Sequence, residues 1–198
     1  MRTHTNKLLA VSEVHLQYYV VKNWFEDDFF DLDPLLQKLH ISGGELSGNI
    51  KISYGKGIAG LIGKRLAKKM KLPNQGEHKL LVSISHSSQG LHWNRKFNDN
   101  NIVKSLFVPF GNNKSGYWIE TTGPVQMKLT VDIVNGGWFW RCLKVSLFGL
   151  PIPLCLIPKS KAYKIIENGK YIFNVSFTYP LLGSLVSYKG ILDAKYNE

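Results

Sequence analysis

The stretch VQMKLTVDIVNGGWFWRCLKVSLF (residues 125–148) decides how this chain folds. Its first ten residues alternate. Met127, Leu129, Val131 and Ile133 fall on one side, and Gln126, Lys128, Thr130 and Asp132 on the other. Successive side chains of a strand point to opposite faces, so this pattern predicts a half-buried β-strand. NGG is a hairpin turn signal, and WFWRCLKVSLF then runs back beside the first strand.

The same grammar extends in both directions. HKLLVSISH, LHWNRKF, IVKSLFVPF and YWIET precede this hairpin, and KAYKIIE, KYIFNVSFTY and LVSYKGILD follow it, with turn residues between them. Further upstream, ELSGNIKISYG is another alternating strand. GKGIAGLIGKRLAKKMKLP comes next. Ile58, Leu61, Ile62, Leu66 and Met70 recur there at helical spacing and predict a buried stripe, while Lys56, Lys64, Arg65, Lys68 and Lys69 make a cationic face. One strand, a basic helix and about nine successive antiparallel strands predict a mainly β (α+β) fold. The expected form is a curved meander closing to a barrel-like sheet of about 10 strands, since closure removes exposed edges. A helix-grip sheet is the alternative, but the long terminal helix it needs is missing from the pattern. Residues 34–198 read as a single β-rich domain. They open on a short helix, LDPLLQKLH, with Asp33 as N-cap and Pro34 in its first position. Residues 1–33 read as an N-terminal arm.

The composition suits a sizeable core: 44% hydrophobic and 12% aromatic in 198 residues. No run of apolar residues is long enough for a membrane-spanning helix, and the start lacks the pattern of a signal peptide. Of 25 Lys/Arg and 14 Asp/Glu, residues 1–33 hold three and six, so the rest carries 22 against 8, a balance of +14. A body this basic suits anionic partners such as lipid headgroups or nucleic acid. The aromatic residues alternate inward rather than forming an exposed stacking stripe, which argues against nucleic acid. Cys142 and Cys155 lie in apolar surroundings without metal or redox spacing, and are expected to be two buried thiols of a cytoplasmic protein.

Arg95 is the most informative single residue. It shares a strand face with Leu91, Trp93 and Phe97. A guanidinium there keeps its charge, so it needs a carboxylate, carbonyls, water or an anionic ligand. Glu120, in YWIETTGP, is the best candidate partner. Arg141, between Phe139 and Leu143, repeats the pattern more weakly. No cofactor is indicated: there is no nucleophile elbow, phosphate loop or dinucleotide fingerprint. The histidines show no metal-ligand spacing, and His40, ending its helix, reads as a C-terminal cap. GLPIPLCLIPKS (residues 149–160) holds three prolines that keep it extended. It reads either as a cover over an open end of the sheet or as the apolar rim of a ligand mouth.

SYGKGIAGLIGKRLAKKMKLP, LHWNRKF, IETTGPVQMKLTV, GLPIPLCLIPKS and YPLLGSLVSYKGIL together resemble the bacterial domain-of-unknown-function family 4166, from about Leu32 to about Asp193. The resemblance implies no reaction. Positions that match the family include His40, Trp93, Arg95, Phe97, Glu120 and Tyr188. The expected ligand site is therefore Trp93, Arg95, Phe97, Glu120, Arg141 and Tyr188. The expected ligand is a small hydrophobic or lipid-like molecule held in the barrel. Lys56, Lys64, Arg65, Lys68 and Lys69 are expected to touch an anionic membrane from the cytoplasmic side. Catalysis by Glu120 or a histidine is the alternative.

Overall fold

Each strand of the meander pairs with its neighbour, and the two ends of the ladder meet. The computed structural model describes residues 19–98 and 101–197, so the reading of residues 1–18 lies outside the described residues. In chain order the elements begin with α1 (Val20–Phe25), a 3-10 turn (Glu26–Asp31) and α2 (Pro34–Ser42). Strand β1 (Gly44–Tyr54), helix α3 (Gly57–Lys69) and strands β2 (Gly76–Ser87), β3 (Gly90–Phe97), β4 (Asn101–Phe110) and β5 (Tyr117–Thr122) follow. The chain continues through β6 (Val125–Val134), β7 (Gly137–Leu147), β8 (Leu150–Ile152), β9 (Lys159–Glu167), β10 (Lys170–Tyr179) and β11 (Gly183–Tyr196).

β1 pairs with both β2 and β11, while β7 pairs with β6 and, through Trp138↔Lys164, with β9. These pairings close ten antiparallel strands into a barrel, with the three-residue β8 added at the end of β7. The opening hairpin is read correctly, with Val134↔Gly137 at its tip.

Eight strands make a barrel that its own side chains just fill, so ten enclose more space. Here that space is filled by residues 20–40. Val21, Trp24, Phe25, Phe29, Leu36, Leu39 and His40 are buried among inward side chains of the strands. The segment read as an arm is thus, over residues 20–32, a plug within the core. Its Trp24 donates from Nε1 to the Phe110 carbonyl, and the Asn113 amide donates to the Trp24 carbonyl at 2.7 Å. Asp33 caps α2 as expected, accepting from the Leu35 amide at 2.8 Å.

The plug enters at the end that carries the β2–β3, β4–β5, β6–β7 and β9–β10 turns. The opposite end carries α3, the β5–β6 and β10–β11 turns, and the proline-rich segment. α3 docks there chiefly by small residues: Ala59, Gly63 and Ala67 are buried and Leu66 packs partly against the core, whereas Ile58 and Leu61 are 67% and 63% exposed. This corrects the predicted stripe at Ile58 and Leu61, while Leu66 and Met70 do pack against the core. The reason is close approach to β11, where a Cβ at Gly63 would lie 1.8 Å from the Leu185 carbonyl oxygen. GLPIPLCLIPKS lies at this end, with Leu150, Leu154 and Leu156 exposed and Ile152 and Ile157 half-buried. Among the described residues no helix is long and apolar enough to cross a membrane.

Candidate functional site

Two polar layers lie inside the apolar barrel. β3 places Leu91, Trp93, Arg95 and Phe97 in order from the plugged end toward the end that carries α3. Arg95 Nη1 donates to the Tyr188 hydroxyl at 3.1 Å, and Nη2 donates to Ser105 Oγ at 2.6 Å. Glu120 stands with Oε1 4.0 Å from Nη2, an ion pair beyond hydrogen-bond range, with side chains 15% and 12% exposed. Arg95 Nε is buried without a partner among the described residues. The Tyr188 phenol is pushed up, chiefly by burial, against the stabilising pull of Arg95. The predicted residues Arg95, Glu120 and Tyr188 are thus brought together. Phe97 is buried on the same face, nearer the end that carries α3.

Arg141 is not among them. Val131 pairs with Trp140, so Trp138, Trp140 and Cys142 face inward and Arg141 faces solvent. There it donates from Nε and Nη2 to both carboxylate oxygens of Asp132, at 2.9 and 3.0 Å. That exposed pair holds the Asp132 carboxyl below its usual value, first through the hydrogen bonds. The segment is apolar on both faces, so only the register of its hairpin partner tells which face points in.

The second layer was not visible in the strand pattern. Lys164, on β9, and His40, at the end of α2, meet with Nζ and Nε2 2.5 Å apart. Lys164 is 5% exposed and His40 fully buried. His40 stacks on Trp138 at 4.5 Å and on Trp93 at 5.9 Å between ring centres. The Lys164 ammonium position lies 3.9 Å from the Trp138 ring centre and 4.6 Å from that of Trp93. Burial holds both groups well below their ordinary values, and for His40 the nearby Lys164 and His86 add to the effect. His40 is therefore no exposed helix cap but part of the plug. Lys164 shares its strand face with Ala162 and Ile166, and the small alanine leaves that inward charge inconspicuous in the strand pattern.

The remaining expectations divide. Lys56, Lys64, Arg65, Lys68 and Lys69 are all exposed on α3. Cys142 is half-buried, its thiol raised chiefly by burial, but Cys155 is exposed, contrary to expectation. His92 is held by Ser87 Oγ at 2.7 Å. No cluster of three or more metal-ligating side chains exists among the described residues.

The Arg95–Glu120 contact can be measured. Glu120→Gln leaves the guanidinium without its nearest countercharge and is expected to cost about 1–3 kcal/mol. Arg95→Met combined with Glu120→Gln is expected to cost less than the sum of the single changes. Urea unfolding of the four proteins checks this, and strictly additive costs would contradict the pairing.

A family model described as "Domain of unknown function (DUF4166)" matches residues 32–192. No curated protein and no solved structure matches the chain.

Proposed function

The chain belongs to the DUF4166 family of unknown function, and we propose that it is a non-enzymatic barrel that binds an anionic, lipid-like amphiphile at the end that carries α3 and works beside an anionic membrane. One observation carries the reading: among the described residues Arg95, inside the barrel, has no carboxylate within hydrogen-bond range, and its buried Nε–H has no partner. A guanidinium in that state suits a carboxylate or phosphate headgroup, which it can meet with paired, charge-assisted bonds. Glu120, Ser105 and Tyr188 would set its orientation. The lower barrel is filled by the plug, which redraws the expected cavity. The ligand's polar end would reach Arg95 from above, and its apolar chain would lie toward Met127, Val175, Phe177 and the rim, where inward side chains stay half-buried. The cationic face of α3 lies at the same end and favours anionic lipid over a neutral surface by roughly 1 kcal/mol per nearby Lys or Arg.

Organic extraction of freshly purified protein, followed by mass spectrometry, tests this. Wild type is expected to carry about one anionic amphiphile per chain, and Arg95→Met to lose it. Equal amounts in both proteins, or none in either across preparations, would remove Arg95 from this role.

A further inference from the structure

Other strand connections of this barrel place asparagine where the backbone turns left-handed: Asn98, Asn135 and Asn168, with φ of 48°, 49° and 51°. Asparagine tolerates that region, and large apolar residues pay strain to enter it. At the β7–β8 and β10–β11 turns the residue is Phe148 (φ 51°) and Leu181 (φ 66°). Both project from the molecule, 78% and 106% exposed. Neither offsets its strain by burial within the fold. The turns are nonetheless well formed, with the Phe148 amide donating to the Pro124 carbonyl at 2.9 Å and the Leu182 amide to the Tyr179 carbonyl at 3.2 Å.

The two tips belong to one surface. The segment leading from Phe148 carries exposed Leu154 and Leu156 and then enters β9, whose Lys159 pairs with Thr178, next to the β10–β11 turn. β11 leaves that turn against α3, where the Gly55 amide donates to the Leu185 carbonyl at 2.9 Å. α3 adds exposed Ile58 and Leu61 beside Lys56, Lys64 and Lys68. An apolar patch flanked by lysines on one end of a barrel matches the layered chemistry of an anionic bilayer surface, with hydrocarbon beneath phosphate.

We propose that the end that carries α3 inserts into the interface of an anionic membrane through the tips Phe148 and Leu181, with that helix lying along the headgroups and the barrel axis standing upright on the bilayer. The lysines draw the end down, and the tips leave water only once it arrives. This orientation also turns the end from which the proposed ligand would reach Arg95 toward the lipid. The inference rests on the membrane reading above and adds the depth and direction of contact.

Cys155, exposed between Leu154 and Leu156, is a native reporter on this surface. The full chain is labelled there with the environment-sensitive dye NBD; half-buried Cys142 is checked by peptide mapping. Vesicles of phosphatidylcholine with about 30% phosphatidylglycerol, an anionic content that attracts polybasic surfaces, are expected to shift the emission to the blue and raise it several-fold. Phe148→Glu with Leu181→Glu is expected to abolish that rise and weaken co-sedimentation by about tenfold or more, since two apolar side chains no longer transfer from water. Circular dichroism and the urea midpoint should not fall. Co-sedimentation with an unchanged spectrum would mean that lysines alone hold the protein, and would overturn insertion while leaving membrane contact standing. A blue shift that grows with protein concentration in the absence of vesicles would assign the patch to a second copy of the chain and also overturn it. Loss of the co-purified ligand in Arg95→Met bears on the headgroup site alone.

Discussion

Raising the pH is expected to stabilise this protein steeply, and Lys164→Met is expected to flatten the dependence. The unfolded chain binds a proton at Lys164 below about pH 10.4, while the folded chain holds that amine neutral by burial. The folded state therefore carries fewer protons, and stability falls as pH falls. The loss runs at up to about 1.4 kcal/mol per pH unit until the buried amine itself is protonated. His40 acts in the same direction at lower pH. Its folded value lies well below the ordinary one, so stability present above about pH 6.5 is lost below it. No carboxylate pairs with Lys164 among the described residues. The amine instead rests against His40, Trp93 and Trp138. Urea midpoints from pH 6 to 9.5, with methionine as an apolar replacement of similar length, provide the measurement. Parallel curves for wild type and Lys164→Met would show that the amine is charged in the folded protein.

Trp24→Ala is expected to be among the most damaging single changes, at about 3–5 kcal/mol, the range for an emptied aromatic site in a core. Trp24 is 2% exposed and contacts Phe25 and Trp118 at ring-centre distances of 4.9 and 5.4 Å. Phe25 in turn meets Trp138 at 4.9 Å, which carries the plug's packing to the floor beneath His40. Against a natural stability of roughly 5–15 kcal/mol, such a loss leaves a barrel that unfolds at low denaturant. The measurement also decides the status of residues 20–32. An arm would tolerate the change with a shift of a few tenths of a kcal/mol, as surface positions do. A plug would not.

Arg95 and Lys164 show how far the site could be read from the chain. Both are cations in strands whose neighbours at two-residue spacing are apolar or small. In LHWNRKF the apolar companions are large, so the inward charge is conspicuous. In KAYKIIE one companion is an alanine, so the inward charge is inconspicuous. Arg141 failed for the opposite reason: WFWRCLKVSLF is apolar on both faces, and a one-residue choice of register reverses every side chain. The sequence contains no local signal that His40 stacks on Trp138, because those residues are 98 positions apart and meet only after the plug has entered the barrel.

By itself the sequence determined the β-rich class, the hairpin order, the basic helix, the α2 cap at Asp33 and the inward charge at Arg95 that needs a partner. Period-two alternation, turn residues and the cost of an unpaired inward charge are local properties, legible without knowing what lies across the fold. The tertiary structure decided that residues 20–40 fill the barrel and from which end they enter. It also decided that α3 docks through Gly63, and that Ile58 and Leu61 remain exposed. Those outcomes depend on the volume that ten strands enclose and on how closely a helix backbone can approach β11. Neither quantity is carried by any one stretch of the chain.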